Sequence, residues 1–314
     1  MMLLTGRHRS RARHEATPVQ AVRRFVGAAG AQARALPAMY ESAVVEALQA
    51  HTEMTRDPYL IQGPAQISFS GGRSSAYMLV KIVEAHGGTL PGDVIVSFAN
   101  TGRERQKTYM FIRRVAQHLG VKVHWLEYDE ATKYREVTFE SARVDGEPFA
   151  DMVRRKQYLP NPIARLCTQW LKIVPMQAFM GSLGYPEYTN VAGIRSDEPR
   201  RVARLRSRPD TVLPLAEAGV TKEDVLAFWR SMPFDLGMSP EYSNCDLCFL
   251  KGAGHLLSII REQPSLADWW IKQEVGGKLF RIDRPNYATL KLIATQPQLF
   301  DAEEEESLPC ECTD

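Results

Sequence analysis

The residues best suited to chemistry are two glycine-bearing loops, a cysteine pair and a group of basic side chains. The first loop, residues 70–75, reads Ser-Gly-Gly-Arg-Ser-Ser and joins an alternating apolar strand to a helical pattern. Phosphate binding needs converging backbone N–H groups and a helix N-terminus directed at the charge. Glycines permit close approach of the backbone, and serine hydroxyls add donors. The pattern predicts a phosphate loop; a serine-capped turn without a ligand is the alternative interpretation. Its predicted members, with the strand end, are Ser68, Phe69, Ser70, Gly71, Gly72, Arg73, Ser74 and Ser75.

The periodicity around this loop predicts a parallel twisted α/β sheet with helices on both faces. The alternating elements are strand 65–70, helix 75–86, strand 93–98, helix 106–119 and strand 121–126. Strands that alternate with helices in this way form parallel sheets with crossover helices. Such sheets bind ligands beyond the carboxyl ends of their strands, where both glycine-bearing loops fall. A Rossmann-like domain followed by a mostly helical part is therefore expected.

Composition narrows the class of protein. The 314 residues carry a net charge of +2, with 44% hydrophobic and 24% charged residues. This is an ordinary globular balance, and it gives no sign of a membrane-binding surface. Five cysteines without an export signal argue against a disulfide framework, so the cytoplasm is the expected compartment. Four regions are expected: a basic, partly helical or disordered extension at 1–57, a nucleotide-binding domain at 58–235, a cysteine-bearing helical region at 236–300 and an acidic tail at 301–314.

A basic group further along the chain is suited to binding anions. Lys172, Arg195, Arg200 and Arg201 could clamp phosphates or a sulfate, because arginine donates two parallel hydrogen bonds to such groups. A solvated basic face is the alternative interpretation. The residue types alone leave both interpretations open.

Five segments in order resemble the phosphoadenosine phosphosulfate (PAPS) reductase family and the PP-loop ATP pyrophosphatases. They are the loop at 70–75, Asn100-Thr101-Gly102, the segment of Cys167 and Lys172, the stretch from Gly193 to Arg201, and residues 214–225. Ser74 stands where the usual ATP-pyrophosphatase pattern has aspartate. The resemblance implies a PP-loop fold that binds an adenine nucleotide with both loops, Gly193, Arg195 and Arg201.

The resemblance implies one of three activities. The first is adenylation of an acceptor by ATP with Mg²⁺ for sulfur transfer, in which Lys172 and Arg195 are catalytic and a nucleic acid is a possible acceptor. The second is reduction of PAPS or adenosine phosphosulfate (APS) by a thioredoxin-like reductant, with Cys312 as the nucleophile. The third is a non-catalytic nucleotide-binding subunit of a modification or defence complex. A homo-oligomer or a complex subunit is expected in each case.

The cysteines predict a metal centre. Cys245 and Cys248 form a C-x-x-C pair, which places two thiolates within reach of one metal. The resemblance adds Cys167, and a [4Fe–4S] cluster held by these three is expected, with Cys310 or Cys312 as a fourth ligand or an iron left open for sulfide. A structural zinc site, buried thiols that only fill the core, and a redox pair are the alternatives.

Overall fold

The computed structural model describes residues 56–239, 242 and 244–296. The chain divides after Asp57 into two units, and the fold below is that of the second. Its centre is a six-stranded sheet with the order β4-β3-β2-β1-β5-β6. The strands are β1 (Ala65–Ser68), β2 (Val94–Ala99), β3 (Val123–Glu127), β4 (Arg135–Val137), β5 (Thr189–Ala192) and β6 (Thr211–Val212).

Helices connect and follow these strands. The helices that cross between strands or flank them are α1 (Arg73–Ala85), α2 (Gln106–Leu119), α3 (Glu147–Lys156), α4 (Leu166–Thr168), α5 (Val174–Ser182), α6 (Pro199–Arg206), α7 (Pro214–Glu217) and α8 (Lys222–Ser231). A π-helical turn, Gln169–Ile173, joins α4 to α5. The C-terminal helices are α9 (Ala253–Glu262), α10 (Leu266–Gln273) and α11 (Tyr287–Thr295). Among all the described residues, no helix has the length and apolar character needed to cross a membrane.

Strand β1 is the centre of the sheet and its topological switch point. All four of its residues are buried, and Ile67 pairs in parallel with Val96 of β2 on one side and with Val191 of β5 on the other. The chain moves outward from β1 through β2 to β3 and then returns to the opposite side of β1 at β5. Loops that leave β1 and β5 therefore meet at the same edge, which is where open α/β sheets bind ligands.

Alternation along β2 explains how both faces of the sheet are covered. Val96 and Phe98 belong to a core that includes residues of α1, α2 and α8. Ile95 and Ala99 point to the other face and pack with Met176 and Phe179 of α5. Helices on both faces confirm the predicted α/β class.

The sheet differs from the sequence prediction at one edge. Strand β4 pairs antiparallel with β3, whereas the other strand pairs are parallel. Two of its three residues, Arg135 and Glu136, are exposed, so β4 carries no alternating apolar pattern. Its extended conformation comes from pairing with β3, which a local pattern does not report.

A second apolar core lies in the C-terminal part of the chain. Phe149 of α3 and Leu171 of the π-helical turn pack in one cluster with Leu256 of α9, Trp270 of α10 and Leu290 of α11. The same cluster contains the three described cysteines. The C-x-x-C segment is therefore a buried part of this core.

Candidate nucleotide site

The loop between β1 and α1 has the backbone of a phosphate cradle. Helix α1 is 13 residues long, its N-cap is Gly72, and within the described part of the chain no side chain makes a capping hydrogen bond there. Gly71 has φ +76°, a left-handed conformation that favours glycine. The hydroxyls of Ser70 and Ser75 lie 3.0 Å apart, and Ser75 donates to the Gly72 carbonyl. The first turn of α1 thus directs its partial positive charge into a loop of small, hydroxyl-bearing residues.

Two glycines let this loop sit tightly against its neighbours. A Cβ on Gly71 would lie 2.7 Å from side-chain atoms of Ile112 and Thr108 on α2. A Cβ on Gly193, just after β5, would lie 2.9 Å from the Ser75 Cα atom. The loops after β1 and β5 are therefore in direct backbone contact at the switch point.

Arg195 lies beside the first turn of α1, and Arg201 shares an acidic partner with it. Arg195 donates to the Ser74 hydroxyl at 3.1 Å and to Asp197 at 2.8 Å. Arg201 donates to Glu198 at 2.5 Å, and Glu198 also accepts from the Arg195 backbone N–H. Acidic residues thus orient both predicted anion ligands, of which Arg195 contacts the loop.

The Arg73 side chain contacts a segment far along the chain. Its guanidinium makes two hydrogen bonds to the Asp235 carboxylate and one, of 2.8 Å, to the Met238 carbonyl. Burial opposes ionisation of Asp235, but the hydrogen bond from Arg73 outweighs it and lowers the pKa of this carboxyl. The Arg73 carbonyl accepts from the Trp229 indole at 2.9 Å. Arg73 therefore anchors the loop to the segment that follows α8.

The second predicted loop is organised by its own side chains. Asn100 donates to Glu127 Oε1 and to the Arg143 carbonyl, each at 2.8 Å. Its carbonyl oxygen accepts from the Gly102 N–H and from the Tyr109 hydroxyl, both at 3.0 Å. The structure thus commits Asn100 to shaping the loop.

Thr101 is committed to the same loop. Its hydroxyl and its backbone N–H both donate to Glu104, and Asn100 and Thr101 are both buried. Gly102 has φ +77° and lies against Pro148. These three predicted nucleotide ligands hold the loop in place through internal contacts.

Glu127, at the end of β3, is a site residue that the sequence reasoning missed. It is fully buried and accepts hydrogen bonds from the Arg135 guanidinium and from the backbone and side chain of Arg143. Burial favours its neutral form, but these bonds and the one from Asn100 lower its pKa. The available signal was an acid that directly follows the buried pair Trp125 and Leu126.

The segment of the cysteine pair docks onto both loops. Asn244 donates to the Ser70 carbonyl at 2.8 Å, and the Arg105 N–H donates to the Asn244 carbonyl at 3.2 Å. Cys245 forms an isolated β-bridge with Glu104. Asp246 next to it forms a buried ion pair with Arg103. Local sequence does not reveal the contact of Asn244 with Ser70, because the two residues are 174 positions apart.

The predicted metal ligands are only partly gathered. Cys167, Cys245 and Cys248 are buried thiols in one apolar cluster, and Lys172 is buried in the π-helical turn that follows Cys167. Within residues 56–239, 242 and 244–296, no three or more Cys, His, Asp or Glu side chains are close enough together to hold a metal ion. Cys310 and Cys312 lie outside the described residues. This donor set does not by itself fit a cluster or a zinc ion, and the metal centre stays a prediction.

Replacing Asn244 with aspartate should weaken nucleotide binding. The change removes the N–H donor to Ser70 and brings a negative charge toward a loop that is suited to an anion. We expect a loss of about 1–3 kcal/mol in stability from the unpaired polar groups and roughly tenfold weaker nucleotide binding. Calorimetric titration and urea unfolding measure the two effects.

The matched control is Asn286→Asp, because Asn286 caps α11 only as an acceptor and aspartate caps equally well. Equal nucleotide affinity in the two variants would contradict a role for Asn244 at the phosphate loop.

Comparisons with known proteins agree with this geometry. The model of the phosphoadenosine phosphosulfate reductase domain matches residues 64–209, which contain both loops and Arg195. An uncharacterized nin region protein, ORF290, of Escherichia phage lambda is 34% identical over 211 residues, or 64% of this chain and 70% of that protein.

Two further proteins are more distant. The uncharacterized protein MJ0066 of Methanocaldococcus jannaschii is 24% identical over 221 residues, which are 67% of this chain and only 41% of that protein. The crystal structure of a PAPS reductase from Candida auris, in a phosphate complex, superimposes with a TM-score of 0.40 and 16% identity over 62% of this chain and 90% of that one. The phage relative and the domain match, with the loops described above, show that this chain belongs to the phosphoadenosine phosphosulfate reductase family.

Proposed function

We propose that this protein binds ATP through its phosphates at residues 70–75 and transfers the adenylyl group to an acceptor that then receives sulfur. The observation that supports this is the N-terminus of α1, which no side chain of the described residues caps, next to Arg195 at the switch point of the sheet. Backbone N–H groups and a guanidinium on the same side of a loop are suited to a polyphosphate.

In the proposed reaction, a nucleophilic atom of the acceptor attacks the α-phosphorus of ATP. The bond from this phosphorus to the bridging oxygen breaks, and pyrophosphate leaves with the bonding electrons. The N–H groups of the first turn of α1 and the Arg195 guanidinium would stabilise the charge that grows on the leaving group. Their contribution depends on fixed positions, which the Gly193 contact with Ser75 provides.

Magnesium would enter with ATP, and the fit of protein ligands to it is poor. Residues 70–75 contain no carboxylate. The neighbouring acids, Asp197 and Glu198, form ion pairs with Arg195 and Arg201. We therefore assign no protein ligand to the metal and derive no step through it.

Arg195→Gln should weaken ATP binding by roughly tenfold, because it removes the guanidinium beside Ser74. The matched control is Arg206→Gln, an exposed arginine at the end of α6, for which binding should not change. Titration calorimetry measures the affinity, and release of pyrophosphate from ATP measures turnover with candidate acceptors. Absence of ATP binding by the unmodified protein would disprove the proposal, whereas tight binding without turnover would favour a nucleotide-binding subunit.

Reduction of PAPS is a second candidate, favoured by the domain match at residues 64–209. In that reaction the Cys312 thiolate would attack the sulfonate sulfur, and the sulfur–oxygen bond to the phosphate would break and release the nucleotide bisphosphate. A dithiol protein would then reduce the Cys312 S-sulfonate, releasing sulfite and becoming a disulfide. Formation of sulfite from PAPS that is abolished by Cys312→Ser would select this candidate over ATP chemistry.

A further inference from the structure

A cavity of about 340 Å³ lies at the N-terminus of α2, beside the second loop. Its lining includes Arg103, Arg105 and Lys107 from the chain that enters α2, and Asp246 from the cysteine segment. Its lining residues come from other segments than the phosphate loop at 70–75. The volume is within the range of small-molecule sites, which begins at about 300 Å³.

Arg105 brings unused donors to this cavity. Its guanidinium carbon lies 4.6 Å from the centroid of the Tyr242 ring, which is a cation–π contact. Its Nε and Nη2 atoms are buried and have no hydrogen-bond partner among the described residues. Buried guanidinium N–H groups need acceptors, so these two donors point to a missing one.

Arg103 repeats this observation independently. The residue is only 8% exposed, and its guanidinium lies over the Trp269 ring at 4.5 Å. One nitrogen pairs with Asp246, but the Nε atom is buried without a partner in the described part of the chain. Two arginines from one loop therefore carry buried donors that no described group accepts.

The two carboxylates of the cavity already accept hydrogen bonds from other groups. Asp246 accepts from the Trp270 indole at 3.0 Å and from the Leu247 N–H in addition to its pair with Arg103. Glu104 accepts from the Thr101 hydroxyl at 2.7 Å and from the Tyr109 hydroxyl at 3.0 Å. Neither carboxylate satisfies the free nitrogens described above.

The balance of charge in the cavity is positive. Three cationic side chains face two carboxylates, and the Lys107 amine donates to the Gly237 carbonyl at 2.6 Å. The 14-residue helix α2 starts here, and its N-terminus has no side-chain cap among the residues that the structure describes. Its N-terminus adds partial positive charge.

We propose that this cavity is a second anion site, separate from the nucleotide loop, that binds a free tetrahedral oxyanion, sulfate or phosphate. The forked Nε and Nη2 donors of Arg105, the Nε donor of Arg103 and the first N–H groups of a helix match the oxygens of such an ion. Asn244 connects the two sites, because it contacts both Ser70 and Arg105 through hydrogen bonds. The anion would lie next to the bound nucleotide without sharing its ligands.

The test is calorimetric titration of the full chain with inorganic sulfate and, separately, inorganic phosphate, in the presence of saturating α,β-methylene-ATP to occupy the nucleotide loop. We expect the unmodified protein to bind one oxyanion, and Arg105→Gln to bind it roughly tenfold more weakly or not at all. Arg105→Lys should fall between them, because it keeps the charge and loses the fork. Arg114→Gln, an exposed arginine on α2, is the matched control and should bind as the unmodified protein does.

Equal sulfate and phosphate affinities for Arg105→Gln and Arg114→Gln would overturn the inference, as would a lack of binding by the unmodified protein. Circular dichroism verifies that Arg105→Gln is folded; if it is not, the comparison of Arg105→Lys with Arg114→Gln decides. The result is independent of the proposed function. If the ATP analogue does not bind, titration without it still reports whether Arg105→Gln removes one oxyanion site.

Discussion

Glu127→Ala is expected to lower the free energy of unfolding by about 1–3 kcal/mol, because it leaves the buried Asn100 amide without an acceptor and removes the carboxylate that pairs with two partly exposed arginines. Glu127 is fully buried and accepts from Arg135, Arg143 and Asn100. Without it the Arg143 side chain loses its main acceptor, and Asn100 loses a bond that shapes the second loop. Urea unfolding measures the loss. Glu136→Ala on β4 is the control, because its pairs with Lys122 and His124 are partly exposed and a loss of only about 0–1 kcal/mol is expected.

This stabilisation should depend on pH in one direction. Burial would raise the pKa of Glu127, but hydrogen bonds from Arg143, Arg135 and Asn100 outweigh it, so the folded pKa lies below the ordinary value of 4.5. A lowered pKa contributes stability above the unfolded value, and that contribution is lost as the pH falls through the folded value. The difference in free energy of unfolding between the unmodified protein and Glu127→Ala should therefore be largest at pH 7. It should shrink as the pH falls below 4.5. An undiminished difference in acid would contradict an ionised Glu127.

Gly193→Ala should weaken nucleotide binding by roughly tenfold or more, because its effect falls on the backbone of the phosphate loop. The added Cβ would lie 2.9 Å from Ser75 Cα and 3.2 Å from Ser75 N. Backbone atoms cannot rotate away as a flexible side chain can, so the first turn of α1 must shift relative to Arg195. Overpacking of this kind also costs about 1–3 kcal/mol of stability.

The control for this substitution is Gly181→Ala on α5. A Cβ there would have no other atom within 4 Å, and alanine is the better helix former. Calorimetry with ATP and urea unfolding on both variants separate binding from stability. If Gly193→Ala is less stable than Gly181→Ala but binds ATP equally well, the position of the loop does not determine affinity.

Local elements of the fold were predictable because their signals are local. Helix α2 begins at Gln106 and ends at Leu119 as the periodicity predicts, followed by Gly120 in a left-handed conformation. Thr221 and Asp224 form a capping box at the start of α8. Both depend on residues within a few positions of each other, so a single sequence reveals them.

The candidate site was predictable as a set of loops and less so as a set of roles. Arg73 has the residue type of a phosphate ligand, yet it pairs with Asp235, 162 residues further along the chain. Asn100 is suited to bind a ligand, yet its carbonyl oxygen and its amide nitrogen are used inside the fold. The residue type is suited both to binding a ligand and to an internal contact. Only the position of a partner that is distant in sequence distinguishes the two roles.

The contact of Asn244 with Ser70, together with the pairing of Arg73 with Asp235, limits how this domain can be exchanged between relatives. The family match ends at residue 209, but the phosphate loop is held by two side chains that come later. A chimera joined at that boundary would carry the loop without its supports. A chimera that takes residues 235–246 and the loop from the same protein keeps the loop together with the side chains that hold it.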